Sequence, residues 1–400
     1  MNRHHGFYKI GRFEFESKIK AYIFAAQLLK QSTNINNPLS LIKWNFNDEI
    51  FSQYDWSIEP ETSLDDLYNR RARQLREQYD KVIISYSGGA DSHNIIQSFV
   101  RQNLHIDEII VNHLDQGTKN FANVDQQDTS AQYAHASEHY LQAIPRLKEL
   151  QNILPNTKIR VFDMTENLFN FFTSRDESWI FTMREELNPV DVTRYNYLHF
   201  SEFERTVDKG QKMCIIMGID KPKVLINKDK SVWLRFSDRL TNITPVAEYM
   251  KDYTNTTIEY FYWHPDCCDL LCKQAHVVKK WFDLNPQIQQ FFSFQPPSSN
   301  SVKISRLINE RLLRPVIYST WNTEWFQADK GVFDWYTEFD TWFIHGHVGS
   351  SAHNVWKKGI QLIKQSADPF INNNGKYKDG LITMHKDYQI GFLTNTISNK

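Results

Sequence analysis

A chain of 400 residues and 47.4 kDa has room for two or three domains of about 100–200 residues each. Hydrophobic residues at 41%, charged residues at 23% and a mean hydropathy of −0.55 exclude a mostly disordered chain, and no stretch approaches the roughly 18 apolar residues of a membrane span. With 46 Lys and Arg against 47 Asp and Glu, the net charge of −1 argues against a broad nucleic-acid-coating surface.

Four cysteines (Cys214, Cys267, Cys268, Cys272) are too few for a disulfide scaffold at this length and fit a reducing, cytoplasmic setting. Met1–Lys30 lacks the compact apolar run of a signal peptide. Asn, Lys and Ile are frequent, as in AT-rich genomes.

In chain order, Phe7–Phe15 is β-like, Ser17–Gln31 helical, and Asn34–Pro38 rich in turn formers. Ser63 caps a predicted helix that runs to about Tyr79, with Leu64, Leu67 and Leu75 on one side and Arg70, Arg71 and Arg73 on a solvated face. From Lys81 strands and helices alternate. The apolar, β-branched run Lys81–Tyr86 suits a buried parallel strand, and Asp91–Asn103 follows with Ile95, Ile96, Phe99 and Val100 at helical spacing.

Asp107–Leu114 is the second strand, Asp128–Gln151 a helix interrupted or restarted near Pro145, and Lys158–Met164 the third strand. Helices are expected over Glu166–Leu187 and Thr193–Asp208, then a fourth strand over Lys212–Gly218. Lys223–Asn227 and Ser231–Phe236 read as a hairpin, Ile258–Trp263 as a further strand and Cys267–Phe282 as a helix. Beyond Pro286 the chain is mostly helical and tryptophan-rich, closing in an expected hairpin at Leu381–Phe392. The βαβαβ order predicts an α/β fold: a doubly wound, Rossmann-like parallel sheet with an N-terminal appendage (1–80), a central domain (81–285) and a helical C-terminal region (286–400).

The informative stretch is Ser85-Tyr-Ser-Gly-Gly-Ala-Asp-Ser-His, where the first strand ends and a helix opens. Glycines there allow a sharp turn and close approach to an anion, and the helix start favours a phosphate. The hydroxyls of Ser87 and Ser92 add hydrogen bonds, and Asp91 is a candidate for holding magnesium. The stretch has neither the Gly-Lys-Ser/Thr ending of a Walker A loop nor the Gly-x-Gly-x-x-Gly of a dinucleotide fold.

Ser87-Gly88-Gly89-Ala90-Asp91-Ser92 matches the Ser-Gly-Gly-x-Asp-Ser signature of the PP-loop ATP pyrophosphatases, the adenine nucleotide α-hydrolase-like superfamily. The resemblance extends over roughly Leu64 to Phe282 and, through the arginine-bearing helix upstream, is similar to the synthetase domain of asparagine synthetase. It implies ATP held at Ser87–Ser92 with Mg²⁺, cleavage between the α and β phosphates, adenylation of an acceptor oxygen and displacement of AMP by a nucleophile such as ammonia or an amine. No cysteine precedes Cys214, so the N-terminal glutaminase of asparagine synthetase is excluded and ammonia would come free or from a partner.

In such a sheet ligands lie beyond the carboxyl ends of the strands. Asn112 and His113 are therefore expected near the adenine, and Met217–Pro222 near the phosphates, with Gly218 a candidate nucleotide-binding residue, Asp220 a candidate magnesium ligand and Lys221 a candidate pyrophosphate clamp. Solvated-turn readings of Asp220 and Lys221 stand beside these. Asp115–Asp128 is either a lid or a connector, and His93 either a substrate contact or an ordinary helix position.

His264, Cys267, Cys268, Cys272 and His276 form the densest group of metal-ligand types, read mainly as packing, with zinc or iron binding and sulfur chemistry as alternatives. His345, His347 and His353 flank Gly346 and Gly349 and read either as a metal-binding His-x-His pair or as a loop between two helices, and Trp335, Phe339 and Trp342 form a helical aromatic stripe that reads as core. The expectation is an AMP-forming ligase or synthetase acting on an unidentified acceptor. The alternatives are ATP-dependent sulfur transfer (nucleic-acid thiolation or phosphosulfate reduction) and a non-catalytic nucleotide sensor. The aromatic C-terminal region leaves room for a homo-oligomer surface.

Overall fold

The structure is a computed structural model that describes residues 5–31, 37–119, 138–182, 210–219, 223–238, 255–289, 308–322, 338–372 and 380–394. The expected helix over Thr193–Asp208 and the end of that over Glu166–Leu187 lie outside these residues. No helix among the described residues is long and apolar enough to cross a membrane.

Strands β1 (Phe7–Ile10), β2 (Phe13–Phe15) and β3 (Lys43–Asn45) form a small antiparallel sheet in the order β2-β1-β3, packed against helix α1 (Lys18–Gln31). Helix α2 (Leu64–Gln78) starts where expected: the Ser63 hydroxyl accepts from the Asp66 amide at 3.2 Å, and Asp65 and Asp66 complement the helix dipole. Arg70 and Arg73 lie on the exposed face expected of them, and Arg71 does not. Arg71 is buried and donates to Glu259 Oε2 at 2.9 Å and to the Tyr260 carbonyl at 3.0 Å, while Arg76 reaches Asp107 at 2.6 Å. Arg70 pairs with Asp269 and Arg73 with Gln102. The helix lies against the sheet and its neighbours, so the guanidinium groups tie it down.

The central sheet is built from β4 (Lys81–Ser85), β5 (Glu108–His113), β6 (Lys158–Asp163), β7 (Met213–Met217) and, after a hairpin of β8 (Lys223–Ile226) and β9 (Ser231–Ser237), β10 (Thr256–Tyr260). Its order is β10-β7-β4-β5-β6 and every neighbouring pair is parallel. Val82 to Ile84 and the whole of β7 are buried, as a sheet flanked by helices requires. The succession moves from β4 through β5 to β6, then returns to the far side of β4 for β7. The strand order therefore reverses between β4 and β7, and the crevice at their carboxyl ends is where an α/β sheet receives ligands.

Helix α3 (Ala90–Arg101) follows β4 and buries Ile95, Ile96 and Phe99 completely, each worth about 1.5–3 kcal/mol. The expected interruption at Pro145 is present: Glu138–Ala143 is π-helical and α4 (Ile144–Ile153) begins beside it, with the proline in the first turn where its missing amide costs nothing. Helix α5 (Thr165–Thr173) is shorter than the periodicity suggests and gives way to a 3₁₀ turn at Glu177–Thr182. Helix α6 (Cys268–Leu284) follows β10, and α7 (Glu338–Gly346) and α8 (Ser351–Ser366) lie in the C-terminal part.

The hairpin expected at Leu381–Phe392 does not form. Strand β11 (Ile371–Asn372) pairs with β12 (Gly380–Leu381), and β13 (His385–Phe392) runs antiparallel to β9 with a bulge between Gln389 and Gly391. The hairpin β8-β9 leaves one edge of β9 unpaired, and β13 satisfies that edge. This pairing crosses the division expected near residue 285. The division near residue 80 is crossed as well, by Lys18, whose ammonium meets Asp238 at 2.9 Å with both side chains fully buried. Asp238 also accepts from the Tyr8 hydroxyl at 3.0 Å and from the Met384 amide at 2.9 Å.

Replacing Lys18 by Met leaves the Asp238 carboxylate buried without its cation. We expect Lys18→Met to lower stability by about 3–5 kcal/mol in urea unfolding, the usual cost of breaking a buried pair from one side.

Candidate functional site

The crevice between β4 and β7 is filled by the glycine turn. The Tyr86 amide donates to the Ile110 carbonyl at 2.8 Å, which prolongs the β4–β5 pairing to the edge of the loop. Gly88 then takes φ +83° and Gly89 caps α3. Ser92 Oγ accepts from the Ser87 amide at 3.2 Å and donates to the Gly89 carbonyl at 3.1 Å, while Ser87 Oγ accepts from the Gly89 amide at 3.3 Å. The first bond within the helix runs from the His93 amide to the Gly89 carbonyl at 3.0 Å, so the helix itself offers no carbonyl to the amides of Ala90, Asp91 and Ser92. Together with the helix dipole, this geometry suits an anion.

Two close approaches fix the loop. A Cβ on Gly88 would stand 2.9 Å from Ala143 Cβ and 3.0 Å from its backbone. On Gly218, at the end of β7, a Cβ would come to 3.1 Å of the Ser92 amide nitrogen. The structure therefore brings Gly218 to the start of α3, and presses the loop against the helix that begins at Glu138.

Arg146 completes the contact. It is buried, donates to the Gly88 carbonyl at 3.0 Å and lies 5.0 Å over the Trp321 ring. Nothing in its sequence neighbourhood distinguishes Arg146 from the other polar residues of an amphipathic helix. His93 lies on the inward face of α3 rather than at a solvated helix position. It is buried among Tyr86, Gln97 and Trp321, and burial, reinforced by the Arg146 charge, pushes its pKa down to about 3.

Asp91 is held from two sides. Its carboxylate accepts from the Tyr318 hydroxyl, and its carbonyl accepts from the Tyr262 hydroxyl at 2.8 Å. Tyr262 in turn accepts from Asn94 Nδ2 at 3.1 Å. Tyr68, Tyr262 and Tyr318 are buried together, and burial, with the Asp91 charge, holds their phenols protonated well above the ordinary tyrosine range. Tyr318 and Trp321 come from a segment more than 200 residues downstream that has no motif of its own.

Asn112 and His113 stand at the carboxyl end of β5, beside the loop strand. The His113 ring stacks on His139, with centroids 4.6 Å apart, and its Nδ1 lies 3.1 Å from the Phe162 carbonyl. Burial, then the neighbouring His113, lowers the His139 pKa to about 4. Asp220, Lys221 and Pro222 lie outside the described residues, as do residues 120–128 of the expected lid or connector. Asp115 opens a short helix, its amide donating to Asp163 at 3.0 Å.

The cysteine-rich cluster is occupied with packing. Cys268 Sγ donates to the Pro265 carbonyl at 3.2 Å, Cys272 Sγ lies 3.4 and 3.3 Å from the carbonyls of Trp56 and Ile58, and His276 Nε2 is 3.0 Å from the Trp56 carbonyl. Burial pushes the Cys267 thiol up to about 11 and those of Cys268 and Cys272 to about 12, the opposite of a reactive thiolate. Among the described residues no group of three or more His, Cys, Asp or Glu is placed to hold a metal. His347 packs on Phe169 and Trp342, and Phe339 and Trp342 close over Gly117; Trp335 lies outside the described residues.

Gly88→Ala combines a left-handed backbone with a clash against Ala143, and we expect a loss of about 2–4 kcal/mol in denaturant unfolding. Adding Ala143→Gly removes the Cβ–Cβ part of that clash, so the double variant recovers a fraction of the loss. The two buried imidazoles set a pH dependence. Below the ordinary value of 6.5 the unfolded chain takes up protons that the folded chain refuses, so stability falls as pH drops from about 6.5 towards 3. Each group contributes a slope of about 1.4 kcal/mol per pH unit. Urea unfolding between about pH 7.5 and 5 should show the decline, and His93→Gln should flatten it by one group's share.

No family model matches the sequence, and no curated protein does.

Proposed function

We propose that the chain binds ATP at Ser87–Ser92 and cleaves it between the α and β phosphates, as an AMP-forming ligase or synthetase of the PP-loop ATP pyrophosphatase type. The observation that carries this reading is the Ser-Gly-Gly-Ala-Asp-Ser turn at the reversal of strand order in a parallel sheet, with Gly88 at φ +83° and a helix opening behind it. The motif resemblance names the nucleotide, and the site's chemistry agrees: amides and hydroxyls for phosphate oxygens, and a carboxylate at Asp91 whose hard oxygens suit Mg²⁺.

In the reaction an acceptor oxygen attacks the α-phosphorus, the bond to the bridging oxygen of the β-phosphate breaks, and pyrophosphate leaves. A nucleophile, ammonia or an amine from outside this chain, then displaces AMP from the adenylated acceptor. Bound Mg²⁺ would neutralise charge on the phosphates. The chain's own share is positioning and charge stabilisation. The turn amides and Ser87 hold phosphate oxygens, and Asp91, fixed by Tyr318 and Tyr262, presents its carboxylate at the start of α3. Asp220 and Lys221 are proposed as a second magnesium ligand and a pyrophosphate clamp. Sulfur transfer is disfavoured by the buried, proton-retaining thiols of Cys267, Cys268 and Cys272.

Incubation with ATP, Mg²⁺ and a small-molecule cell extract should yield AMP and pyrophosphate, with turnover reduced at least a hundredfold by Asp91→Ala, a loss on the scale of removing one electrostatic stabiliser. ADP with phosphate would contradict the mechanism. ATP binding without turnover would favour the sensor reading.

A further inference from the structure

Gln142 is 1% exposed, and neither its Oε1 nor its Nε2 has a hydrogen-bond partner. An interior amide with both ends unsatisfied is costly, about 1–3 kcal/mol for each group, and is the kind of feature a fold keeps for a ligand. Its place is informative. On the same π-helical stretch, His139 stacks on His113 at the end of β5 and Ala143 meets Gly88 in the turn after β4. Gln142 therefore belongs to the bridge between the end of β5 and the phosphate-type loop. At the end of β5, beside His113, the Asn112 Oδ1 is likewise buried without a partner.

Two elements that meet at this end of the sheet thus carry three unsatisfied atoms: two acceptors, Gln142 Oε1 and Asn112 Oδ1, and one donor, Gln142 Nε2. We infer that Gln142, with Asn112, reads the amino edge of a 6-aminopurine. The two N–H groups of the exocyclic amine match the two carbonyl oxygens, and the adjacent ring nitrogen accepts from Nε2, the bidentate pairing that amide side chains make with adenine. Guanine presents a carbonyl oxygen at the same position and would set acceptor against acceptor. The inference rests on the ATP reading above and adds to it the residue that selects the base.

The test compares ATP, GTP and purine riboside triphosphate, which lacks the 6-amino group, by calorimetric titration of the full chain with Mg²⁺. Wild type should bind ATP about tenfold to a hundredfold more tightly than either analogue. Gln142→Met keeps the length of the side chain and removes both orphaned groups. It should unfold at the same or a higher temperature than wild type, yet lose most of the preference for ATP. Equal binding of ATP and purine riboside triphosphate by wild type, or full preference retained by Gln142→Met, overturns the role of Gln142 while leaving ATP binding intact. Failure of wild type to bind any of the three overturns the ATP reading and this inference with it.

Discussion

The contact on which the site depends is the one between Gly88 and Ala143, which leaves no room for a Cβ on residue 88. Only a glycine with φ +83° allows the chain to leave β4, turn and enter α3 while pressed against another helix. The neighbouring features follow from that closeness. Arg146 lies one turn beyond Ala143 and reaches the Gly88 carbonyl, and its charge bears on His93, which burial already keeps neutral. The amides at the start of α3 are positioned by the same contact. A loop free of that support would sample many conformations, and an anion would have to order it on binding.

The tyrosine cluster is the second support. Tyr68 donates to the Ile317 carbonyl at 2.8 Å and accepts from Gln274 Nε2 at 2.9 Å, which anchors the segment carrying Tyr318 to α2 and α6. Tyr318 then reaches Asp91. The acidic residue of the turn is thus oriented through three elements distant in sequence. Such outer contacts decide whether a functional group is held within a fraction of an ångström of where it is needed.

The sequence made the core of the sheet legible because its information there is local. Lys81–Ser85, Glu108–His113, Lys158–Asp163 and Met213–Met217 are short apolar runs between helical periodicities, and their order limits the topology to a few choices. The turn at Ser87–Ser92 was legible for the same reason, as glycines at a strand-to-helix junction. What escaped is pairing between distant segments. Arg71 reads as a surface charge until Glu259 and the Tyr260 carbonyl are seen beside it. The β-rich end of the chain reads as a hairpin because nothing local tells β13 that the edge of β9 is vacant. Arg146 and Tyr318 owe their contacts to what lies across the crevice, which hydrophobic periodicity does not encode.

The buried Lys18–Asp238 pair has a consequence for the order in which the molecule is built. During synthesis Lys18 emerges some 220 residues before its partner, and Asp238 waits nearly 150 more for the Met384 amide. Neither charge can enter the interior alone without a large desolvation penalty. The small sheet around β1 must therefore keep Lys18 hydrated until the middle of the chain is available, and close fully only when the final strands arrive. A nascent chain halted before residue 384 would carry a half-assembled polar centre. The parallel sheet could already be collapsing around its own apolar strands, so the two halves of the molecule mature at different times.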